Sequence, residues 1–159
     1  THRGTLFPYT TLFRSRTQWI LSRQLHHEET QDDIALRLRA DSIDSLNQVE
    51  IRQILKEHGF PKKTEVGTSA CEAAWIIIQH APLDVQKEYL PMLERAATEG
   101  NIQAALVAAL HDRIDVREGR PQKYGTQRNH NGICPLLNKK MVNQWRKEVG
   151  LPPLDEYSK

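Results

Sequence analysis

Residues 71–110 decide the fold, and they read CEAAWIIIQHAPLDVQKEYLPMLERAATEGNIQAALVAAL. Apolar residues recur in this stretch at intervals of three and four, which is the spacing of one face of an α-helix. Pro82 and Gly100 interrupt the pattern, because proline lacks the amide hydrogen that a helix needs and glycine favours helix ends. The stretch therefore predicts three consecutive helices, which are one carrying Cys71 to His80, one over about 83–98 and one over about 102–117.

The ends of these three helices carry recognisable signals. Thr68 or Ser69 can cap the first helix, and Asn101 can cap the third, because short polar side chains accept hydrogen bonds from the first free amides. Pro91 lies inside the second helix and is expected to kink it. The first helix is apolar almost all round, which predicts a central position in the fold.

Outside this stretch the sequence predicts two more helices and one extended segment. Gly59 ends the helix predicted before this stretch, and Gly150 ends the helix predicted near the end of the chain. Lys62–Gly67 is predicted to be a polar loop. Asn131-Gly132 is a strong signal for a β-hairpin. The expected fold is all-α, with about five helices and a short extended arm or β-hairpin after the fourth; the two further helices cover about 42–58 and 139–149.

The start of the chain is expected to have a different origin from the rest. Residues 5–15 read TLFPYTTLFRS, which resembles the in-frame translation of a short-read sequencing adapter. Such a segment is excluded from fold reasoning. We therefore expect residues 1–15 to be non-native and residues 16–159 to form one helical domain that lacks its native N-terminus. A signal peptide could have been lost with that terminus, so localisation cannot be deduced.

Charge and hydropathy exclude two classes of partner from the expectations. Arg3 and Arg14 are two of the 22 basic residues, whereas all 20 acidic residues follow residue 15, so the remainder has 20 of each. A balanced chain without a basic run lacks the charge pattern of a nucleic-acid-binding protein, so no nucleic acid is expected as a partner. The longest apolar run, residues 73–78, is too short to span a membrane, which takes about 20 residues.

Two polar residues stand on apolar helical faces and are the candidate catalytic residues. His80 follows Ala73, Ile76 and Ile77 at helical spacing, and Asp112 follows three alanines in the same way. A buried carboxylate needs a partner, so we expect His80 and Asp112 to come within hydrogen-bond reach, directly or through Gln122, Tyr124 or Gln127. Imidazole titrates near neutrality, so His80 would be the general acid or base and Asp112 the group that orients it. In the alternative, both residues only fix helix packing.

The candidate ligand-binding residues lie mainly on the predicted arm. Amide, phenol and hydroxyl groups beside a glycine can recognise a small polar ligand through several directed hydrogen bonds, or they can pin the arm to the helices. Arg113 projects about 100° from Asp112 around the helix and would meet an anionic group if it turned inward. The candidates are Arg113, Gln122, Tyr124, Gly125, Thr126 and Gln127.

Five stretches of the chain carry a resemblance to a known family. They read WIIIQHA at 75–81, QKEYLPML at 86–93, DRI at 112–114, GRPQKYGTQ at 119–127 and GLPPLDEY at 150–157. In order and spacing they resemble the bacterial domain of unknown function 6624 family, over about residues 44–157. The resemblance implies no activity. It implies that the family's motif positions are His80, Asp112, Arg113, Gln122, Tyr124, Gly125 and Gln127.

No metal or cofactor is expected. His26-His27-Glu28-Glu29 lacks the second histidine one helical turn on that zinc binding requires, and His130 and Cys134 supply only two ligands. Two functions therefore stay open: a domain that binds a small polar ligand or performs His/Asp acid–base catalysis in a pocket, and a non-catalytic structural or protein-interaction module with a buried polar network. An open pocket favours the first, and a closed polar network favours the second.

Overall fold

The structure is a computed structural model that describes residues 31–154, where six helices and one two-stranded hairpin are found. The chain forms two compact units, with the boundary between His58 and Gly59. The predicted helical class with a short hairpin is confirmed. The segment 1–15, interpreted as adapter-derived, lies outside the described residues, as does the His26 to Glu29 run.

The first unit contributes one long helix, α1 (Gln31–His58). It ends at the predicted residue, because Gly59 adopts a φ of 72°, a conformation that glycine reaches without strain. Among the side chains of α1 that the structure describes, the buried ones follow one another every four residues and so share one face; they are Asn47, Ile51 and Leu55. Leu46 and Val49 are large apolar residues of the same helix but are 68% and 70% exposed.

The second unit begins with a short helix and the predicted central helix. Residues expected to form a polar loop instead contain one helical turn, α2 (Lys63–Val66). The next helix, α3 (Thr68–Gln79), begins one residue after Gly67, which occupies the capping position and has no side chain to cap with. The predicted caps by Thr68 and Ser69 are therefore wrong. Ile78 and Cys71 of α3 are completely buried, as a central helix requires.

Two packed helices carry most of the remaining core. The helix α4 (Leu83–Thr98) has the predicted bounds and contains Pro91. The helix α5 (Ala104–Arg117) packs against it and starts after Gln103, two residues later than predicted. The predicted cap Asn101 is wrong because its side-chain oxygen instead accepts a hydrogen bond from the Lys63 amide at 3.1 Å.

The hairpin consists of β1 (Arg128–Asn129) and β2 (Gly132–Ile133), paired antiparallel. The turn is centred on His130 and Asn131, one residue earlier than the Asn-Gly pair suggests. Asn129 shapes this turn, since its Oδ1 accepts the Asn131 amide at 2.8 Å. Gly132 follows with a φ of 111° and completes the reversal of the chain.

The last helix, α6 (Val142–Glu148), is shorter than the predicted 139–149. Asn138 ends the preceding loop and accepts the amides of Lys140 and Met141, so these residues form a turn before the helix. Val142 faces the core and is completely buried. Among the described residues no helix combines the length and the apolar character that membrane crossing requires.

Candidate functional site

Asp112 lies on α5 and is completely buried. Its Oδ1 accepts the backbone amides of Lys123 and Tyr124, both at 2.9 Å. Its Oδ2 accepts the backbone amide of Thr126 at 2.9 Å and the Thr126 hydroxyl at 2.8 Å. A carboxylate has about four acceptor positions, so these bonds use the full capacity of Asp112. The carboxylate therefore shapes the segment 119–127, which we call the 119–127 loop.

Gln122 is the second organising residue of this loop and is also completely buried. Its Nε2 donates to the carbonyls of Gln127 at 2.9 Å and Cys134 at 3.0 Å, while its Oε1 accepts the Gln127 amide at 2.8 Å. The backbone of Gln122 is bonded to Pro135 and Leu137. Gln122 therefore closes the loop on itself and joins it to the chain after the hairpin.

Gln127 and Thr126 attach the loop to the surface of α5. Gln127 Nε2 donates to the Ala109 carbonyl at 3.3 Å and to Thr126 Oγ1 at 3.1 Å. The small side chain of Ala109 leaves the carbonyl of the helix backbone within reach of the loop. In this arrangement the side chains of both residues point to α5.

Arg146 of α6 completes the site from the opposite side, and it is not among the residues predicted from the sequence. It is 7% exposed, and its guanidinium donates to the carbonyls of Tyr124 at 2.7 Å and Pro152 at 2.6 Å. Burial lowers the pKa of Arg146, and the negative charge of Asp112 acts against that shift. A signal was present: Arg146 stands four residues after Val142 and three before Val149, on the apolar stripe of the predicted helix.

Gly125 lets the chain pass between Asp112 and Arg146. It has a φ of 70°, and a Cβ atom there would lie 2.7 Å from Leu154 Cδ1 and 3.1 Å from Leu136 Cδ2. Both the backbone conformation and the lack of space therefore favour glycine. The structure brings together six of the eight predicted site residues, which are Asp112, Gln122, Tyr124, Gly125, Thr126 and Gln127.

Arg113 lies on a different side of α5 from Asp112, and His80 lies at the end of α3. Trp75 Nε1 donates to the Leu106 carbonyl at 3.0 Å, and Arg117 donates to the Ala81 carbonyl at 3.1 Å, so this side of α5 contacts α3 and the turn after it. Arg113 precedes Arg117 by one helical turn on the same side. His80 ends α3 beside Ala81. The approach of His80 to Asp112 stays a prediction.

Metal-ligating residues do not gather in the part of the chain that the structure describes: no group of three His, Cys, Asp or Glu side chains is found there. Cys71 and Cys134 are free thiols, and both are buried. Burial raises the pKa of the Cys71 thiol, whose Sγ donates to the Pro61 carbonyl at 3.4 Å. A protonated, buried thiol is a poor nucleophile, so the geometry favours a packing role for Cys71.

The arrangement is a closed network of hydrogen bonds among buried polar groups. Comparison with known proteins adds a family. No curated protein and no solved structure matches the chain. The model of one protein family, described as a family of unknown function (DUF6624), matches residues 19–159, which cover the whole site. The chain therefore belongs to the DUF6624 family.

Proposed function

We propose that this protein is a non-catalytic binding module and that the 119–127 loop is its recognition element. The observation that carries the proposal is the saturated carboxylate of Asp112, which holds the loop through the amides of Lys123, Tyr124 and Thr126. A preorganised loop binds with a smaller loss of conformational entropy than a flexible one. The buried carboxylate of Asp112 would thus support recognition of a partner by fixing the conformation of the 119–127 loop.

The backbone of the loop is held by the network while two of its side chains reach the surface, and this supports the same proposal. Lys123 and Tyr124 give only backbone groups to the network, so the hydrogen bonds that shape the loop do not use their side chains. Both side chains are half-buried and reach the surface. Tyrosine contributes a large, rigid contact surface with few rotatable bonds, and for this reason it is common in recognition loops.

The bonding of Asp112 also argues against an acid–base pair. A general base or its orienting partner needs an oxygen that can accept a hydrogen bond from the imidazole. Both oxygens of Asp112 already accept two bonds each from the loop. Recruiting Asp112 for catalysis would therefore break the bonds that shape the 119–127 loop.

A small-ligand site is the second candidate, and the position of Arg113 favours it. The contact of Arg117 with Ala81 brings the Arg113 side of α5 next to the turn that follows His80. The Nε atom of Arg113 and the Nδ1 atom of His80 are both buried. A guanidinium on α5 and an imidazole at the end of the neighbouring α3 suit a small anionic group.

A selection experiment separates the two candidates. The full chain is used to select peptides from an unbiased displayed library, with a Tyr124→Ala variant as the matched control, since the network uses only the backbone of that residue. We expect enrichment by the natural chain and none by the variant. Equal enrichment by both proteins, or by neither, would contradict the proposal. A metabolite that raises the melting temperature and requires His80 and Arg113, with no need for Tyr124, would support the second candidate instead.

A further inference from the structure

The surface of the 119–127 loop carries a cation held between two aromatic rings. Lys123 Nζ lies 5.0 Å from the centre of the Tyr124 ring and 5.3 Å from that of Trp145. These distances are typical of cation–π contacts, which hold an ammonium over the face of a ring. All three side chains are half-buried, so they reach solvent.

Within the described part of the chain, Lys123 has no carboxylate partner. Two arginines that belong to the loop or donate to it, Arg120 and Arg146, are already bonded to other groups. Arg120 pairs with Asp115 and Glu118, and Arg146 is buried against backbone carbonyls. The ammonium of Lys123 is therefore the cation that the loop itself presents to a partner.

Charge is divided unevenly along the second unit. Residues 119–159 contain eight Lys and Arg residues against three acidic residues, whereas residues 59–118 contain six against nine. The equal numbers of basic and acidic residues after residue 15 conceal this difference. Side chains of Arg128, Lys139, Lys140 and Lys147 are exposed, so the segment that contains the loop presents positive charge to solvent. Such a surface attracts negatively charged partners and speeds their association.

From these observations we propose that the surface formed by Lys123, Tyr124 and Trp145 binds an acidic peptide segment of a partner protein. An aspartate or glutamate of the partner pairs with Lys123, and a neighbouring apolar side chain packs on the two rings. Tryptophan and tyrosine contribute strongly to binding at protein interfaces, and a charge pair adds specificity. This inference rests on the proposed function and names the partner class of the same loop.

The surroundings of the loop favour a peptide over a nucleic acid. Asp115 and Glu118 lie at its edge, bonded to Arg120. The phosphates of a nucleic acid are regularly spaced and need a track of cations, so acidic groups beside the site would repel them. A short peptide can place one carboxylate at Lys123 and neutral groups elsewhere.

The test is a fluorescence anisotropy titration of the full chain with three labelled probes. The first is a twelve-residue peptide in which glutamate alternates with leucine and phenylalanine, the second replaces every glutamate by glutamine, and the third is a thymidine oligonucleotide of equal length. We expect the glutamate peptide to bind at least about tenfold more tightly than the other two, and added salt to weaken its binding, because exposed charges are screened.

Two variants assign the binding to Lys123. Lys123→Met is expected to weaken binding of the glutamate peptide about tenfold, as the loss of one close charge pair at an interface. Lys62→Met is the matched control, because Lys62 is 65% exposed and pairs with Glu65 outside the loop. Lys123→Glu should reverse the preference and bind a version of the peptide with lysine in place of glutamate. Since Lys123 serves the network through its backbone amide, both variants are expected to fold.

Several results would overturn the inference: equal binding of the glutamate and glutamine peptides, no effect of Lys123→Met, tighter binding of the oligonucleotide, or no binding of any probe. These failures are distinguishable from failure of the proposed function. If selection from an unbiased library yields neutral peptides whose binding requires Tyr124, the proposed function is supported and the acidic partner is excluded.

Discussion

Asp112 and Arg146, two buried residues of opposite charge, hold the backbone of Tyr124 at both ends: the carboxylate accepts its amide at 2.9 Å, and the guanidinium donates to its carbonyl at 2.7 Å. Tyr124 is thereby fixed without any use of its side chain. Each charge lowers the cost of burying the other, because opposite charges attract more strongly away from water.

The two charges are expected to be energetically coupled. Asp112→Asn, Arg146→Met and the double variant form a double-mutant cycle, with stability measured by urea unfolding. We expect a coupling free energy of about 0.5–3 kcal/mol, with the double variant less destabilised than the sum of the single variants. Strict additivity would contradict the shared hold on Tyr124. The pair Asp112→Asn and Lys62→Met is the control and should be additive, because Lys62 lies outside the network.

Asp112→Asn alone is expected to destabilise the fold by about 1–3 kcal/mol, since the asparagine amide group replaces an oxygen and faces the Thr126 amide, donor against donor. Thr126→Val keeps the backbone amide bond but removes the hydroxyl, which donates to Asp112 and accepts from Gln127, and should cost about 0.5–1.5 kcal/mol for each of these two bonds. Urea unfolding measures both. Asp115→Asn is the matched control: it removes a surface pair with Arg120, worth roughly 0–1 kcal/mol. A smaller effect at Asp112 than at Asp115 would argue against the network.

Gly125→Ala and Gly119→Ala separate backbone strain from lack of space. Both glycines have a positive φ, 70° and 74°, but an added Cβ meets Leu154 and Leu136 at Gly125 and nothing within 4 Å at Gly119. Gly119→Ala should cost about 1–2 kcal/mol from strain alone. Gly125→Ala should cost about 1–3 kcal/mol more, because packed neighbours must move. Equal melting temperatures of the two variants would show that the leucines yield freely.

Glu118 links the end of α5 to α4 and is expected to make stability depend on pH. Its hydrogen bond from Lys87, at 2.5 Å, and its pairing with Arg120 lower the pKa of the carboxyl below 4.5. A lowered folded-state pKa stabilises the fold above the unfolded value of 4.5, and the contribution is lost as the pH falls through the folded-state pKa. Glu118→Gln should therefore be less stable than the natural chain at pH 7, and the two should converge under acid. Urea unfolding from pH 7 to pH 3 measures this; a constant difference would contradict it.

Local patterns were enough to predict α4, whereas longer-range contacts decided where α5 begins. Between Pro82 and Gly100 the apolar period is uninterrupted, and the structure has the predicted bounds. Asn101 is a good capping residue by type, but its side chain bonds the Lys63 amide, 38 residues earlier. A contact between distant parts of the chain thus overrides a local preference, which a sequence pattern cannot reveal.

The sequence predicted that Asp112 is buried and hydrogen-bonded, but it did not predict which groups bond to it. Asp112 on an alanine face implied a buried, bonded carboxylate, and it is one. Its donors could not be deduced, because they are mainly backbone amides, and every residue except proline has one. Arg146 was overlooked because a lysine or arginine on a short helix is most often at the surface.

The residues that hold the 119–127 loop lie far apart in the sequence, since Asp112 precedes the loop and Arg146 follows it. This separation has a consequence for synthesis. A ribosome adds residues in order, so Asp112 emerges 34 positions before Arg146. Until α6 has been made, the carboxylate has no buried cation beside it, and the carbonyl of Tyr124 has no guanidinium to accept from. A nascent chain that stops short of Arg146 is thus expected to hold the loop loosely, so that its final shape is reached only when synthesis is nearly complete.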